Sequence, residues 1–185
     1  PKAERLSDAV TLYEGEALAI LQVLPDATFD AVIADPPYSS GGFTRGDRQN
    51  DVAAKYQQSG SVREYPMFSG DNRDARSWHY WTTLWLSECQ RVTKPGGYIL
   101  IFTDWRQLPT TTDAIQSGGW QWRGIVSWDK GTGARAPHKG YFRHQCEYIV
   151  WGTNGPLEPP AVDGVHKGPW PGSLTVPVLQ SDKHH

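Results

Sequence analysis

An α/β fold is predicted for these 185 residues by three features of the chain. Short β-type apolar runs, Val10 to Tyr13 and Phe29 to Ala34, alternate with segments of helical periodicity, the pattern of strands separated by helices in one layered domain. Trp78, Trp81 and Trp85 recur at i, i+3 and i+7, an apolar stripe suited to packing a helix on a sheet. The run ending at Ala34 breaks directly into Asp35-Pro36-Pro37-Tyr38, at the carboxyl end of a strand, where open α/β sheets place their ligands.

The elements follow in order. Val10 to Tyr13 reads as a strand, and Glu16 to Leu24 as a helix with Ala17, Leu18, Ile20, Leu21 and Leu24 on its apolar side. Phe29 to Ala34 is the second strand. Ser39 to Arg76 is a long polar stretch carrying Gly41-Gly42, Gly60 and Gly70 with nearly balanced charges. A loop of that length inside a compact domain is usually functional, so it reads as a lid or a nucleic-acid-contacting arm, compatible with disorder until a ligand binds. A helix is expected from Ser77 to Thr93, its stripe extended by Leu84 and Val92, and Lys94-Pro95-Gly96-Gly97 stops it. Tyr98 to Thr103 is the next strand, whose exit Thr103-Asp104-Trp105-Arg106 opens another helix with Asp104 as its cap. Gln121 to Asp129 and Glu147 to Trp151 read as two further strands. Six of the 14 prolines fall between Pro156 and Pro177, so the tail holds no long regular element.

Composition bounds the class. The chain suffices for one globular domain, and 38% hydrophobic residues with nine Trp indicate a packed core rather than a disordered chain. The two cysteines, Cys89 and Cys146, are too few for a disulfide framework. With no signal peptide and no apolar stretch of membrane-spanning length, the expectation is a cytoplasmic protein without a membrane partner. No Cys-x-x-Cys or His-x-Glu pattern occurs, so no metal is expected.

The net charge of −2 does not advertise nucleic-acid binding, but its distribution does. Between Lys130 and Cys146 stand Lys130, Arg135, Lys139 and Arg143, with His138 and His144 and no acid. Gly131, Gly133, Gly140, Tyr141 and Phe142 are interleaved, as in a flexible loop that grips phosphates. A solvated loop between two strands is the other reading.

Asp35-Pro36-Pro37-Tyr38 suits amino-group methylation. An exocyclic amine on a base is a weak nucleophile because its lone pair is delocalised into the ring. A carboxylate and a backbone carbonyl, here Asp35 and Pro36, accept its two N–H bonds and leave the lone pair aimed at a methyl donor. The prolines lack N–H and fix φ, which stiffens the loop, and Tyr38 offers a flat face for a base that has left the duplex. A plain turn after the strand, or a proline-rich docking segment, is the alternative. Docking segments, however, lie in extended exposed stretches.

The tetrapeptide, with Leu12-Tyr13-Glu14-Gly15-Glu16-Ala17-Leu18-Ala19-Ile20-Leu21 and Leu24-Pro25-Asp26 ahead of it, resembles the N-terminal portion of β-class amino-methyltransferases of DNA, which are S-adenosylmethionine-dependent. The similarity runs from about Val10 to Trp151 and continues weakly to His185. It implies a Rossmann-like methyltransferase sheet, mostly parallel with a terminal antiparallel hairpin, in residues 1–152, followed by a Pro/Gly-rich recognition or linker segment in 153–185. It also implies S-adenosylmethionine as cofactor, contacted by Glu16 where the family commonly has Asp, by Ala17 and Asp35, and by Phe102, Thr103 and Asp104 at the next strand exit. Double-stranded DNA is the implied partner, with Lys130, Arg135, Lys139 and Arg143 as phosphate contacts, and a homodimer stays open. Adenine N6 is the expected target, since enzymes acting on cytosine N4 commonly have Ser in place of Asp35. An RNA amino-methyltransferase, or a DNA-binding remnant without catalysis, is the alternative. The family's glycine-rich Phe-x-Gly-x-Gly cofactor loop is absent here, so the sequence is expected to be a piece of a longer protein, with a gap in its own sheet between the Val10 and Phe29 strands.

Overall fold

The computed structural model describes residues 2–38, 73–131, 139–157 and 169–176, and the expected arm from Ser39 lies, up to residue 72, outside the described residues. The chain forms β1 (Lys2–Arg5), β2 (Thr11–Glu14), α1 (Ala17–Leu21), β3 (Phe29–Ala34), α2 (Ala75–Val92), β4 (Thr93–Thr103), α3 (Leu108–Ser117), β5 (Gln121–Asp129), β6 (Cys146–Thr153) and β7 (Ser173–Thr175). The described strands make a two-stranded sheet, β1-β2, and a five-stranded sheet in the order β3-β4-β6-β5-β7.

The α/β class is the one expected. Among the described strands, β3–β4 and β5–β7 pair parallel, whereas β4–β6 and β5–β6 pair antiparallel. The sheet is therefore mixed, with β6 folded back between β4 and β5 as the inner arm of the expected hairpin. The strand expected at Val10 forms one residue later and pairs with Lys2–Arg5, a partner the sequence reading did not assign. β2 is not a member of the five-stranded sheet, and β3 is left at its edge with Ile33 72% exposed. An apolar strand on a sheet edge is an open template for pairing.

Helix α2 is the spine of the domain. Asp74 caps it, its Oδ1 accepting from the backbone N–H groups of Arg76 and Ser77 at 2.9 Å each, which starts the helix two residues before the expected Ser77. Trp78, Thr82, Trp85, Leu86, Cys89 and Val92 are its buried face. Of these, Trp78, Trp85, Leu86 and Cys89 pack with Ile99 and Ile101 of β4, Ala114 and Ile115 of α3, Trp120 and Val150. Leu84, expected on that stripe, is exposed, because the buried arc passes through Thr82 and Leu86 instead. Arg91 near the end of α2 reaches across to α1: its guanidinium donates to the carbonyls of Leu21 at 2.9 Å and Leu24 at 3.0 Å, and to Glu88 and Asp26. Those carbonyls sit at the end of α1, which stops at Leu21 rather than at Leu24.

Helix α2 ends at Val92, one residue before the expected Thr93, and β4 begins at Thr93 rather than Tyr98, so Lys94-Gly97 lies within the strand. A Cβ on Gly97 would meet Thr93 Cγ2 at 2.5 Å and the Asp30 carbonyl at 2.8 Å, so only glycine lets β3 close on β4 there. Asn154 locks the same corner, its amide donating to the carbonyls of Gln90 at 3.0 Å and Thr93 at 2.7 Å. These contacts lie at the start of β3, where Phe29 pairs with Thr93, and the strand runs from there to Ala34 beside Ile101.

Candidate active site

β3 delivers Asp35-Pro36-Pro37-Tyr38 at its carboxyl end, as the sequence predicts. The Tyr38 hydroxyl donates to Asp35 Oδ1 at 2.5 Å, and the buried Trp78 indole donates to the Pro37 carbonyl at 2.8 Å across 41 positions of sequence. The first bond holds the carboxylate in one orientation. The second ties the loop to the core, since Trp78 is 0% exposed. The Tyr38 hydroxyl is pushed well above its ordinary range, first by burial, then by the bond to Asp35, with the charges of Asp35, Glu147 and Asp104 adding to it. It stays a neutral donor.

Asp35, Pro36 and Pro37, but not Tyr38, border a cavity of about 760 Å³, within the range of small-molecule sites. One wall is Gly15, Glu16 and Ala17, another Ala34 to Pro37, and the third Arg73, Trp81 and Trp85. The Glu16 carboxylate also caps α1 by accepting from the Ala19 backbone N–H at 2.8 Å. Two donors on the third wall, Arg73 Nε and Trp85 Nε1, are buried without a partner among the described residues. Buried donors are normally satisfied, and these two have almost no exposed surface of their own, so they are closed to the cavity as the wall stands. The cavity is bordered by two acids, Glu16 and Asp35, and one guanidinium, Arg73, which suits a ligand carrying charges of both signs.

The other expected cofactor contacts stand beside the site rather than on the cavity wall, Asp104 near enough for its charge to act on Tyr38. Phe102 meets Trp128 edge-on at 6.0 Å, and the fully buried Thr103 shares a hydroxyl bond with Thr111 at 3.0 Å. Asp104 caps the turn into α3, accepting from the backbone N–H groups of Arg106 at 3.0 Å and Gln107 at 2.9 Å. None of Phe102, Thr103 and Asp104 lines the cavity. Conversely, Trp81 and Trp85, whose stripe reads as core packing from the sequence, also line the cavity from the middle of α2, because an i, i+3, i+7 pattern does not reveal that part of a helix face borders a cavity. Arg73 gave no sequence signal within its polar stretch.

Of the basic residues, Lys130 forms an ion pair with Glu147 and lies over the Trp128 ring at 5.4 Å. Its acid stands one residue past the stretch that contains none, so its charge is already matched. Lys139 and Arg143 lie on the exposed part of the loop, and Arg135 falls outside the described residues. His144 stacks on Trp105 at 5.2 Å with an interplanar angle of 21°, which brings the loop against the exit of β4 beside the site. Among the described residues there is no group of His, Cys, Asp and Glu that could hold a metal ion and no helix long and apolar enough to cross a membrane.

Comparison with known proteins fits this geometry. The chain is 31% identical to the type II methyltransferase M.BamHI of Bacillus amyloliquefaciens over 96 residues, 52% of this chain and 18% of that protein. It is 22% identical to M2.MboI of Moraxella bovis over 142 residues, 76% of this chain and 48% of that one. The chain thus spans half or less of the length of these curated relatives. Its fold is similar to that of PvuII DNA methyltransferase, cytosine-N4-specific, with a TM-score of 0.58 at 14% identity, covering 93% of this chain and 58% of the other. It is also similar to a DNA modification methylase of Thermus thermophilus in complex with S-adenosyl-L-methionine, at a TM-score of 0.53 and 16% identity, covering 80% and 57%. The N6/N4 methyltransferase profile, described as DNA methylase, matches residues 29–169, from the first residue of β3 through the site and the basic loop, and the chain belongs to that family.

Proposed function

We propose that this chain carries the target-base half of an S-adenosylmethionine-dependent DNA methyltransferase that acts on the exocyclic amine of a flipped base, adenine N6. The observation that carries the reading is the Asp35 carboxylate, fixed at the end of β3 beside a cavity that Glu16, Arg73, Trp81 and Trp85 also line. S-adenosylmethionine supplies an electrophilic methyl group. Glu16, Ala17, Arg73 and Trp85, which line the cavity, would hold it.

The rest of the chemistry is the protein's own. Asp35 accepts one N–H of the target amine and the Pro36 carbonyl the other, which localises the nitrogen lone pair. The carbonyl of Pro37 is already engaged by Trp78, so Pro36 is the one left for the amine. The amine displaces the Tyr38 hydroxyl from Asp35, and the ring then serves as the stacking face. An Asp rather than a Ser at position 35 favours adenine over cytosine. Residues 1–152 form the catalytic unit in this reading, and 153–185 are a recognition or linker segment. The exposed edge of β3 is where strands from the remainder of a longer protein complete the sheet.

The test is incubation of the full-length protein with labelled S-adenosylmethionine and unmethylated DNA, followed by nucleoside analysis. N6-methyladenine is the expected product, lost by at least about 10²-fold in Asp35→Ala. N4-methylcytosine would reassign the target base. Tight DNA binding with no transfer would mark a non-catalytic DNA-binding protein.

A further inference from the structure

We propose that Phe142 is a wedge that enters the DNA duplex and fills the space left by the flipped base, a role that rests on the base-flipping reading above. Phe142 is 95% exposed, with Tyr141 beside it at 66%. An isolated surface apolar side chain is ordinary, but the setting of this one is specific. The loop between β5 and β6 leaves the sheet at the end where Asp129 pairs with Cys146 and Thr103 with Tyr148, the end at which β3 presents Asp35.

The neck of the loop is rigid. Lys130 N–H donates to the Gln145 carbonyl at 3.0 Å, and Asp129 Oδ1 accepts from the Gly131 backbone at 2.8 Å and from the Gln145 amide at 2.9 Å. The His144 ring is stacked on Trp105. Beyond that neck Gly140 takes φ +85 with nothing within 4 Å of the place a Cβ would occupy. Gly140 therefore turns the chain through the left-handed region, and the aromatic pair follows it on the solvent side.

Lys139 and Arg143 flank the pair, so a ring with no protein cover sits between side chains whose charge complements phosphates. That combination suits a base stack. Apolar side chains that insert between base steps are a general means of opening DNA, and a flipped base leaves a gap that a planar ring fills. The alternative occupant, another part of the same protein covering Phe142, gives a different experimental signature.

The experiment uses the full-length protein and a duplex built around a position that it methylates, with 2-aminopurine at the target. The parent is expected to raise the fluorescence of the probe as the base leaves the stack. Phe142→Ala is expected to lose roughly tenfold or more of that response, whereas Phe142→Trp keeps it. On the same duplex with an abasic site opposite the target, where no pair is broken, Phe142→Ala should recover the response. Equal responses of parent and Phe142→Ala on the paired duplex would overturn the wedge while leaving base flipping intact. A loss that the abasic site does not rescue, with a lowered melting temperature, would place Phe142 in a protein contact and overturn it too. A flat response from the parent would overturn base flipping, and the wedge with it.

Discussion

Tyr38 and Asp35 engage each other before any base arrives. The hydroxyl is a donor throughout the neutral range, because burial and the adjacent carboxylate both oppose its ionisation. Its two parts should separate by substitution. Tyr38→Ala removes the stacking face and should weaken handling of the flipped base by about 1–3 kcal/mol. Tyr38→Phe keeps the face and removes only the donor that the amine displaces, so it should cost much less. Transfer rates and DNA affinities of the two variants measured side by side decide this, and equal damage would mean that the hydroxyl rather than the ring is the working part.

Helix α2 links the core to the site. Trp78→Phe keeps most of the packing and removes the donor to the Pro37 carbonyl, which should lower stability by about 1–3 kcal/mol. It should also reduce kcat more than it changes KM for the cofactor, because the loop that aims the amine loosens while the opposite wall of the cavity stays in place. Urea melts and steady-state kinetics on one preparation test both parts. The same helix carries a pH dependence. Burial pushes the Cys89 thiol from its ordinary value of 9.0 up to about 12. Between those values the unfolded thiol has lost its proton and the native one has kept it, so the native state binds more protons and stability falls as pH rises. The slope from this group is about 1.4 kcal/mol per pH unit. Urea melts from about pH 8 upward should therefore decline less steeply in Cys89→Ala than in the parent, and an identical decline would show that Cys89 is not protected in the native state.

At the scale of the whole molecule, the proposal that the loop between β5 and β6 carries the phosphate contacts predicts how DNA affinity responds to charge. Charge-removing changes at Arg135, Lys139 and Arg143 should weaken binding to all sequences alike. The salt dependence should flatten by up to about one unit of slope per lost contact. Lys130→Ala should flatten it least, since Glu147 already neutralises that side chain. Affinities at several salt concentrations give the answer, and an unchanged slope in the triple variant would move the DNA-binding surface to the segment between Ser39 and Arg76.

Local sequence sufficed wherever the signal was short-range. The apolar run from Phe29 to Ala34, the acid and two prolines that end it, the tryptophan periodicity of α2 and the strand of β5 were all legible, because each depends on residues one to four positions apart. The contacts decided by folding are the long-range ones. The indole of Trp78 finds Pro37 across 41 positions, Glu147 finds Lys130, β6 inserts between β4 and β5, and Arg73, Trp81 and Trp85 meet Glu16 and Asp35 around one cavity. No local pattern encodes such meetings. They follow from which faces must be buried together and which donors must find acceptors, and those are settled only when the sheet and its helices close on each other. The sequence by itself thus determined that Asp35-Pro36-Pro37-Tyr38 ends a strand, and the tertiary structure decided what holds it in place and what lines the cavity beside it.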